Sequence, residues 1–355
     1  MSELENCELC EWRCGVNRLA GERGVCRVGS PEVAATSLSG TLKSYSVTLL
    51  GCCYRCLHCN AYRISQYPDP LWWYGRHISP EELVSDAETR IRAYGESAYN
   101  EPTYRGSACN DSGKEFEKEF EIDKISFTGG DPIIHLPYIE EVAGVLRKRG
   151  SKLGVGLATG GFCTSESMER IAGICSSITL EIKAFDDEVH RALTGAPVEP
   201  VLRNASYLAE NAREKIRVFR TVAIPGMTDK QVVKIAEYIA ALDPEIPYRL
   251  IGFRPNFVLY YHPGPEKEMM ERLAEKCRDA GLKDVAWSGY YPEAYPEGIE
   301  RKAEILEKRY SGNQEAGLTA AYALDTGCPT HPRNCGECEL RDNCPATLRE
   351  PWNRR

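Results

Sequence analysis

The sequence lacks the features by which membrane, secreted and nucleic-acid-binding proteins are usually recognised. No apolar run approaches the ~20 residues that a transmembrane helix needs, and the N-terminus has no basic stretch followed by an apolar one, as a secretory signal has. Lys and Arg number 44 against 52 Asp and Glu, giving a net charge of −8 without a basic cluster. Such a surface repels a phosphate backbone. We therefore expect a cytoplasmic protein that uses neither a membrane nor a nucleic acid as partner.

Disulfides are not expected either, although the chain has 16 cysteines. Thiols stay reduced in the cytoplasm, so clustered cysteines there are more often metal ligands than disulfide partners. The cysteines form three clusters, which are Cys7, Cys10, Cys14 and Cys26, then Cys52, Cys53, Cys56 and Cys59, then Cys328, Cys335, Cys338 and Cys344. The scattered ones are predicted to be small buried hydrophobic residues, namely Cys109, Cys163, Cys175 and Cys277.

The hydrophobic pattern predicts an α/β fold. With 355 residues and 42% hydrophobic content, the chain can bury one large core, and no internal repeat is visible. Apolar runs that alternate with helical patterns predict parallel strands at Leu42–Leu50, Lys124–Thr128, Lys152–Ala158, Ile178–Ile182, Ile216–Ile224 and Tyr248–Phe253. Six β/α units are too few to close an eight-stranded barrel. The pattern therefore predicts a partial (β/α)6 TIM-type barrel with cysteine-rich N- and C-terminal extensions.

Composition divides the chain into three parts. Residues 1–38 are predicted to be a cysteine-rich metal-binding segment, and residues 39–260 the partial barrel. Within the barrel, residues 95–120 have little apolar content and are predicted to be a surface insertion. Residues 261–355 are predicted to be a helical extension with a cysteine-rich tail.

Several helix boundaries can be predicted from the sequence. Ser79 and Glu82 have the spacing of a capping box at the start of a helix, and Thr228 and Gln231 repeat that pattern. A further amphipathic helix is predicted to stop at Gly281.

The loop after the first predicted strand contains the residues expected to bind the catalytic metal cluster. Cys52, Cys56 and Cys59 follow a CxxxCxxC spacing, and three thiolates leave one iron of a four-iron cluster free to bind a substrate. Side chains of neighbouring residues in an extended segment point to opposite sides, so we expect Cys53 to pack rather than to bind the same cluster. A zinc knuckle is the alternative, but the position directly after a strand at a barrel mouth favours the open cluster.

This loop resembles the signature of radical S-adenosylmethionine (SAM) enzymes. Over roughly residues 5–260, the chain resembles relatives of the pyruvate formate-lyase activating enzyme. The similar segments, in order, are CELCEWRCGVNRLAGERGVCRVG, NAYRISQ, SFTGGDP, LEIKAFD, ALTGAPVEPVLRN and RTVAIPGMTD. The resemblance implies that SAM chelates the open iron. It also implies that an electron from the cluster cleaves SAM to methionine and a 5′-deoxyadenosyl radical, which removes a hydrogen atom from the substrate.

The resemblance also implies which residues bind SAM. The strand end with Gly129, Gly130 and Asp131 is expected to approach the SAM amino group, where glycine lets the backbone come close. The ribose and the methionine carboxylate are expected to contact Thr159, Gly160, Glu181 and Lys183, with Arg220 as a further candidate. Two positions depart from the family pattern. His58 stands where the family usually has an aromatic ring near the adenine, and Glu181 stands where these relatives commonly have aspartate.

The outer cysteine clusters are expected to bind metal as well. The N-terminal four resemble cysteines of the same relatives and are expected to hold zinc, a second iron–sulfur cluster or a single iron. The C-terminal four resemble the auxiliary-cluster tails of radical SAM enzymes that modify peptides.

The resemblance leaves two reactions open, both on a protein or peptide substrate and both needing a reductant such as ferredoxin or flavodoxin. One is C-methylation of a residue with cobalamin as methyl carrier, as in archaeal enzymes that methylate a glutamine of methyl-coenzyme M reductase. The other is abstraction of a glycine hydrogen to activate a glycyl-radical enzyme. From a different class, a non-catalytic iron–sulfur electron carrier remains an alternative, although it has no need of the SFTGGDP and LEIK segments.

Cobalamin would need a binding site that no motif in the sequence predicts. The chain has no DxHxxG cobalamin motif. His262 is a candidate lower ligand to the cobalt, although a solvated loop histidine is the more common interpretation. Tyr260 and Tyr261 are candidates for a wall against the corrin ring, although aromatic residues near a strand end are more often part of the core.

Overall fold

The structure is a computed structural model that describes residues 2–40, 42–65, 75–100, 121–291 and 299–326. Five cysteines whose roles are predicted above lie outside the described residues, namely Cys109, Cys328, Cys335, Cys338 and Cys344. Most of the predicted surface insertion also lies outside them.

Eight strands form a single sheet in chain order. They are β1 Val33–Ser39, β2 Ser44–Leu49, β3 Lys124–Gly129, β4 Gly154–Thr159, β5 Ser177–Glu181, β6 Ile216–Ala223, β7 Tyr248–Gly252 and β8 Val285–Ser288. β1 pairs with β2 antiparallel, and each later neighbouring pair is parallel. The predicted α/β class with a parallel sheet is confirmed, and the sheet is compatible with a partial barrel because β1 and β8 lie at opposite ends of the strand order.

The predicted count of six strands was too low. All six predicted strands are present, but the sheet also contains β1 and β8. β1 is only partly buried along its length, so its residues lack the apolar run of a central strand. β8 has four residues. The predicted domain boundary at residue 38 falls within β1, and β8 extends the sheet beyond the boundary predicted at residue 260.

Ten α-helices are described. They are α1 Tyr62–Ser65, α2 Pro80–Asn100, α3 Leu136–Lys148, α4 Ser165–Ile174, α5 Asp187–Thr194, α6 Glu199–Asn211, α7 Asp229–Leu242, α8 Lys267–Asp279, α9 Ile299–Glu307 and α10 Gln314–Thr326. α2 continues to Asn100, so the residues from 95 to 100 are helical rather than part of an insertion. No helix among the described residues is long and apolar enough to cross a bilayer.

The capping prediction is confirmed at one helix and wrong at the other. At α2, the Glu82 amide donates to Ser79 Oγ at 3.3 Å, and the Ser79 amide donates to Glu82 Oε2 at 3.0 Å. At α7, the Thr228 hydroxyl instead accepts a hydrogen bond from the Ile224 amide at 2.7 Å. Gln231 reaches away from its own helix and accepts from the amide of Phe185, in the loop after β5, at 2.9 Å.

The two faces of the sheet differ in burial, and this positions the site. In β2, Tyr45, Val47 and Leu49 are fully buried, whereas Ser46 and Thr48 between them are only partly buried. Parallel sheets are usually covered on both faces. The partly buried face is compatible with the interior of a partial barrel, which ligands would enter from the carboxyl ends of the strands.

The C-terminal helices form a second core that includes the cysteine loop. Leu57, which lies between the loop cysteines, is fully buried together with Leu193 of α5 and Ala316 and Ala320 of α10. The helical extension and the cysteine loop therefore contribute to the same hydrophobic core.

Candidate active site

The loop after β2 brings the three cysteines of the CxxxCxxC pattern near one another. Burial raises the pKa of Cys56, and the neighbouring Cys59 and Cys52 raise it further, while the ammonium of Lys183 opposes them. Burial likewise raises the pKa of Cys59, whose sulfur lies 3.1 Å from the hydroxyl of Ser65. Among the described residues, no three Cys, His, Asp or Glu side chains converge closely enough to hold a single metal ion. The three cysteine ligands of a four-iron cluster bind different irons and need not converge in this way.

A buried arginine holds this loop in shape. Arg55 is 1% exposed, and its guanidinium donates to the carbonyls of Cys52 at 3.0 Å and Tyr54 at 2.8 Å, and also to that of Val25. The Arg55 amide donates to the carbonyl of Thr194 at the end of α5, at 2.8 Å. The loop is thus fixed to α5 and to the N-terminal segment. This role of Arg55 was not predicted from the sequence, where the signal for it is a charged residue within a cysteine-rich run.

Cys53 is buried next to the proposed ligand Cys52. It is fully buried, burial and the neighbouring side chains of Cys52 and Asp131 raise its pKa, and its sulfur is 4.0 Å from Asp131 Oδ2. Its carbonyl accepts a hydrogen bond from the indole of Trp12 at 2.7 Å. That Cys53 packs rather than binds the cluster stays a prediction.

The glycines at the end of β3 are needed for packing between strand ends. The Gly130 amide donates to the Leu49 carbonyl at 3.1 Å, and a Cβ at Gly130 would lie 1.6 Å from the Gly51 carbonyl oxygen. Gly129 has φ 126°, and a Cβ there would lie 2.2 Å from the Leu49 oxygen. The absence of side chains therefore has a cause within the fold, beside the approach to SAM that the resemblance implies.

Asp131 ties the ends of β3 and β4 together. Its carboxylate accepts from the Thr159 hydroxyl at 2.7 Å and from the Gly160 amide at 2.9 Å. Burial raises the pKa of Asp131 to about 6 despite these hydrogen bonds. Both carboxylate oxygens and the Thr159 hydroxyl are engaged within the protein. At this position, we therefore expect main-chain groups rather than these side chains to contact a ligand.

A chain of charges lies beside the cysteine loop. Glu181 pairs with Lys183 and accepts from Arg220 Nε at 2.9 Å. Burial raises the pKa of Glu181, but the Lys183 ammonium and the Arg220 guanidinium outweigh it and hold that pKa far below its ordinary value. Burial lowers the pKa of Lys183, but Glu181 and Cys56 hold it above its ordinary value. A fixed cation therefore lies beside the thiols.

Two further loop residues face this charge chain. Lys183 Nζ lies 5.4 Å from the centre of the Tyr54 ring, and the Tyr54 hydroxyl donates to the Gly160 carbonyl at 2.8 Å. His58 is 6% exposed and lies close enough to Glu181 to help lower its pKa. The structure thus brings His58, Glu181 and Lys183 together; their contact with SAM stays a prediction.

His262 is not available as the predicted lower ligand to cobalamin. Its side chain is buried, its Nδ1 lies 2.9 Å from the Tyr322 hydroxyl, and its Nε2 lies 2.8 Å from the Pro225 carbonyl oxygen. Because a carbonyl only accepts, Nε2 carries the proton and Nδ1 accepts from Tyr322. Both ring nitrogens are engaged, so His262 joins the loops after β6 and β7 to α10. The sequence interpretation of a solvated histidine is wrong as well.

Buried neutral histidines predict a loss of stability in mild acid. Burial lowers the pKa to about 3 for His135 and to about 4 for His190 and His262, against an ordinary value of 6.5. At pH values between about 4 and 6.5, these histidines bind protons in the unfolded chain but not in the folded protein. The free energy of unfolding therefore falls as the pH drops through 6.5. We expect His262→Gln to reduce the slope of that fall, measured by denaturant titration from pH 7.5 to 4.5. An unchanged slope relative to wild type would show that His262 does not contribute.

The N-terminal cysteines also lie near one another. Burial raises the pKa of Cys10 well above its ordinary value, and Cys26, Cys14 and Cys7 raise it further. Cys10 forms an isolated β-bridge with Cys163, which anchors this segment beside the end of β4. The predicted metal binding at these four residues remains a prediction.

Comparisons with known proteins identify relatives. The Radical SAM superfamily profile matches residues 111–239. An isethionate sulfite-lyase activating enzyme of Desulfovibrio desulfuricans is 28% identical over 165 residues, which are 46% of this chain and 52% of that protein. A pyruvate formate-lyase-activating enzyme of Staphylococcus epidermidis is 23% identical over 221 residues, covering 59% of this chain and 75% of the relative. A solved radical SAM methyltransferase from Sphaerobacter thermophilus is 14% identical with a TM-score of 0.49, covering 75% of this chain and 70% of that one. The chain thus aligns with about half the length of the first of these relatives.

Proposed function

Since the chain belongs to the radical SAM superfamily and is related to the pyruvate formate-lyase-activating enzymes, we propose that it cleaves SAM reductively and modifies a residue of a protein partner. The observation that carries the proposal is the position of the three loop thiols beside the paired Glu181 and Lys183, at the carboxyl ends of β2 and β5, two parallel strands of the same sheet. Ligands of open α/β sheets bind at this edge.

The superfamily implies a [4Fe–4S] cluster and SAM, and the residues present fit both. Cys52, Cys56 and Cys59 would hold the cluster, and the Tyr54 amide donates to the Cys52 sulfur at 3.4 Å, a hydrogen bond of the kind that tunes cluster potentials. The Lys183 ammonium would offset thiolate charge or bind the SAM carboxylate. When bound, these cofactors supply a 5′-deoxyadenosyl radical that abstracts a hydrogen atom. A ferredoxin or flavodoxin would deliver the electron.

For the overall reaction we propose C-methylation of a protein residue, with a glutamine of methyl-coenzyme M reductase as the first candidate substrate and cobalamin as the methyl carrier. The match to the pyruvate formate-lyase-activating enzyme covers 59% of this chain. The support for methylation comes from the part of the chain outside that match. Residues of helices α9 and α10 share a buried hydrophobic cluster with Leu57 of the cysteine loop, which supports a role of the extension beside the site. Cobalamin would bind without His262, whose nitrogens are engaged. The outer cysteine clusters would hold a further iron–sulfur cluster, iron or zinc.

Activation of a glycyl-radical enzyme is the second candidate. The names of the two curated relatives, both lyase-activating enzymes, favour it. In that case the product is a radical on a glycine of the partner, without a transferred carbon.

One experiment separates these hypotheses. After anaerobic reconstitution, we expect the protein to be brown and to release 5′-deoxyadenosine when SAM and dithionite are added. Co-expression with methyl-coenzyme M reductase is then expected to add about 14 Da per methyl group to one of its peptides in mass spectrometry. A partner backbone cleaved at one glycine on exposure to oxygen would instead support the glycyl-radical reaction. A coloured protein that never cleaves SAM would be an electron carrier and would overturn the proposal.

A further inference from the structure

Exposed tyrosines gather at one end of the sheet. Tyr260 and Tyr261, in the loop after β7, are 63% and 69% exposed, and Tyr290 and Tyr291, directly after β8, are 53% and 39% exposed. Among the described residues, the other exposed large hydrophobic side chains are Leu19, Leu42 and Ile305. Isolated exposed apolar residues are ordinary, whereas four tyrosines in two neighbouring loops form a patch. We call Tyr260, Tyr261, Tyr290 and Tyr291 the tyrosine surface.

The two loops of the tyrosine surface are packed together. The Tyr291 amide donates to the Pro265 carbonyl at 2.9 Å. A Cβ at Gly264 would lie 2.3 Å from the Tyr291 carbonyl oxygen, so the backbones of the two loops are in close contact. The tyrosines therefore lie on one continuous, structured surface.

The loop that carries Tyr260 and Tyr261 also contacts the segment after the cysteines. Asn256, in this loop after β7, donates to Asn60 Oδ1 at 2.7 Å, and Asn60 directly follows Cys59. The adjacent Phe257 stacks on Tyr62 with ring centroids 4.6 Å apart and an interplanar angle of 11°. The tyrosines of this loop therefore lie within a few residues of contacts to the candidate site.

We propose that the tyrosine surface binds a peptide segment of the substrate protein and guides the modified residue to the site, an inference that rests on the proposed function. Tyrosine combines a large apolar ring with a hydroxyl, and such residues dominate the binding energy of protein interfaces. Contact through side chains is favoured over strand addition, because the Val285 carbonyl of β8 already accepts from Arg278 at 3.1 Å.

A corrin ring does not match this surface. Tyr260 and Tyr261 lie at an interplanar angle of 89°, and Trp287 and Tyr290 at 69°. A planar macrocycle needs a flat wall, and rings that are nearly perpendicular cannot both lie flat against it. A peptide with side chains on several sides does not have this restriction.

The test separates binding of the partner from cleavage of SAM. We expect the double variant Tyr260→Ala/Tyr261→Ala to form 5′-deoxyadenosine at the wild-type rate when dithionite is the reductant and no partner protein is present. For the protein found to carry the modification, we expect KM to rise about tenfold with kcat nearly unchanged. The matched control is Leu42→Ala, which removes an exposed side chain before β2, at the opposite end of the strands. It is expected to change neither quantity.

Three outcomes would overturn the inference. An unchanged KM would show that the partner does not use these tyrosines. If the absorbance spectrum shows that the double variant has lost bound cobalamin, the surface binds the corrin ring. If size-exclusion chromatography shows that the double variant has a different oligomeric state from wild type, the surface forms contacts between copies of the chain. If wild type itself releases no 5′-deoxyadenosine, the proposed function fails instead.

Discussion

Replacing Cys56 with alanine is expected to abolish 5′-deoxyadenosine formation. Cys56 is the central cysteine of the CxxxCxxC loop, and its thiol lies close enough to Cys52 and Cys59 for each to raise its pKa. With two thiolates remaining, a four-iron cluster loses a ligand that the protein cannot replace. Iron and sulfide analysis of the anaerobically reconstituted variant is expected to show loss of the cluster, and product analysis is expected to show no SAM cleavage.

Cys53→Ala is the matched control, because Cys53 is buried in the same loop and is expected not to bind the cluster. It should retain the brown colour, the iron content and SAM cleavage. A Cys53→Ala protein without a cluster, beside a Cys56→Ala protein that keeps it, would reassign the ligands and remove the basis of the proposed function.

The fold was predictable from the sequence wherever a local pattern determines it. The six central strands have apolar residues at successive or alternate positions, and the Ser79 and Glu82 capping box lies within four residues of sequence, so both could be predicted. Gly281 ends α8 with φ 109°, as the stop signal predicted. β1 and β8 were missed because short or half-buried edge strands lack a continuous apolar run.

The site was predictable in its residue types but not in its contacts. The CxxxCxxC spacing and the family segments pointed to the cysteines and to Glu181 and Lys183. They could not show that Gln231 reaches a loop 45 residues away instead of capping α7, since such a contact depends on tertiary packing. The same holds for His262 and for the contacts of Arg55 with Val25 and Thr194, because these partners are distant in sequence.

Gly130→Ala is expected to destabilise the protein and to displace the cysteine loop. The new Cβ would lie 1.6 Å from the Gly51 carbonyl oxygen and 3.2 Å from the Cβ of Cys52. The Gly51 carbonyl cannot simply rotate away, because it accepts the Asp131 amide at 3.0 Å. We expect a loss of about 3 kcal/mol or more in the free energy of unfolding, measured by denaturant titration, at the upper end of overpacking effects. Iron content should fall as well.

Gly144→Ala provides the contrast, because it adds the same methyl group within α3 where no atom lies within 4 Å of the new Cβ. Alanine favours a helix over glycine by about 0.5–1 kcal/mol, so this variant should be slightly more stable and fully loaded with iron. The pair distinguishes two reasons for a glycine at position 130. If Gly130→Ala keeps wild-type stability and iron but binds SAM weakly, the glycine serves the ligand alone. If stability and iron fall together, the close packing of the β2 and β3 ends is what positions Cys52, and the cluster geometry depends on a backbone contact that no side chain can replace.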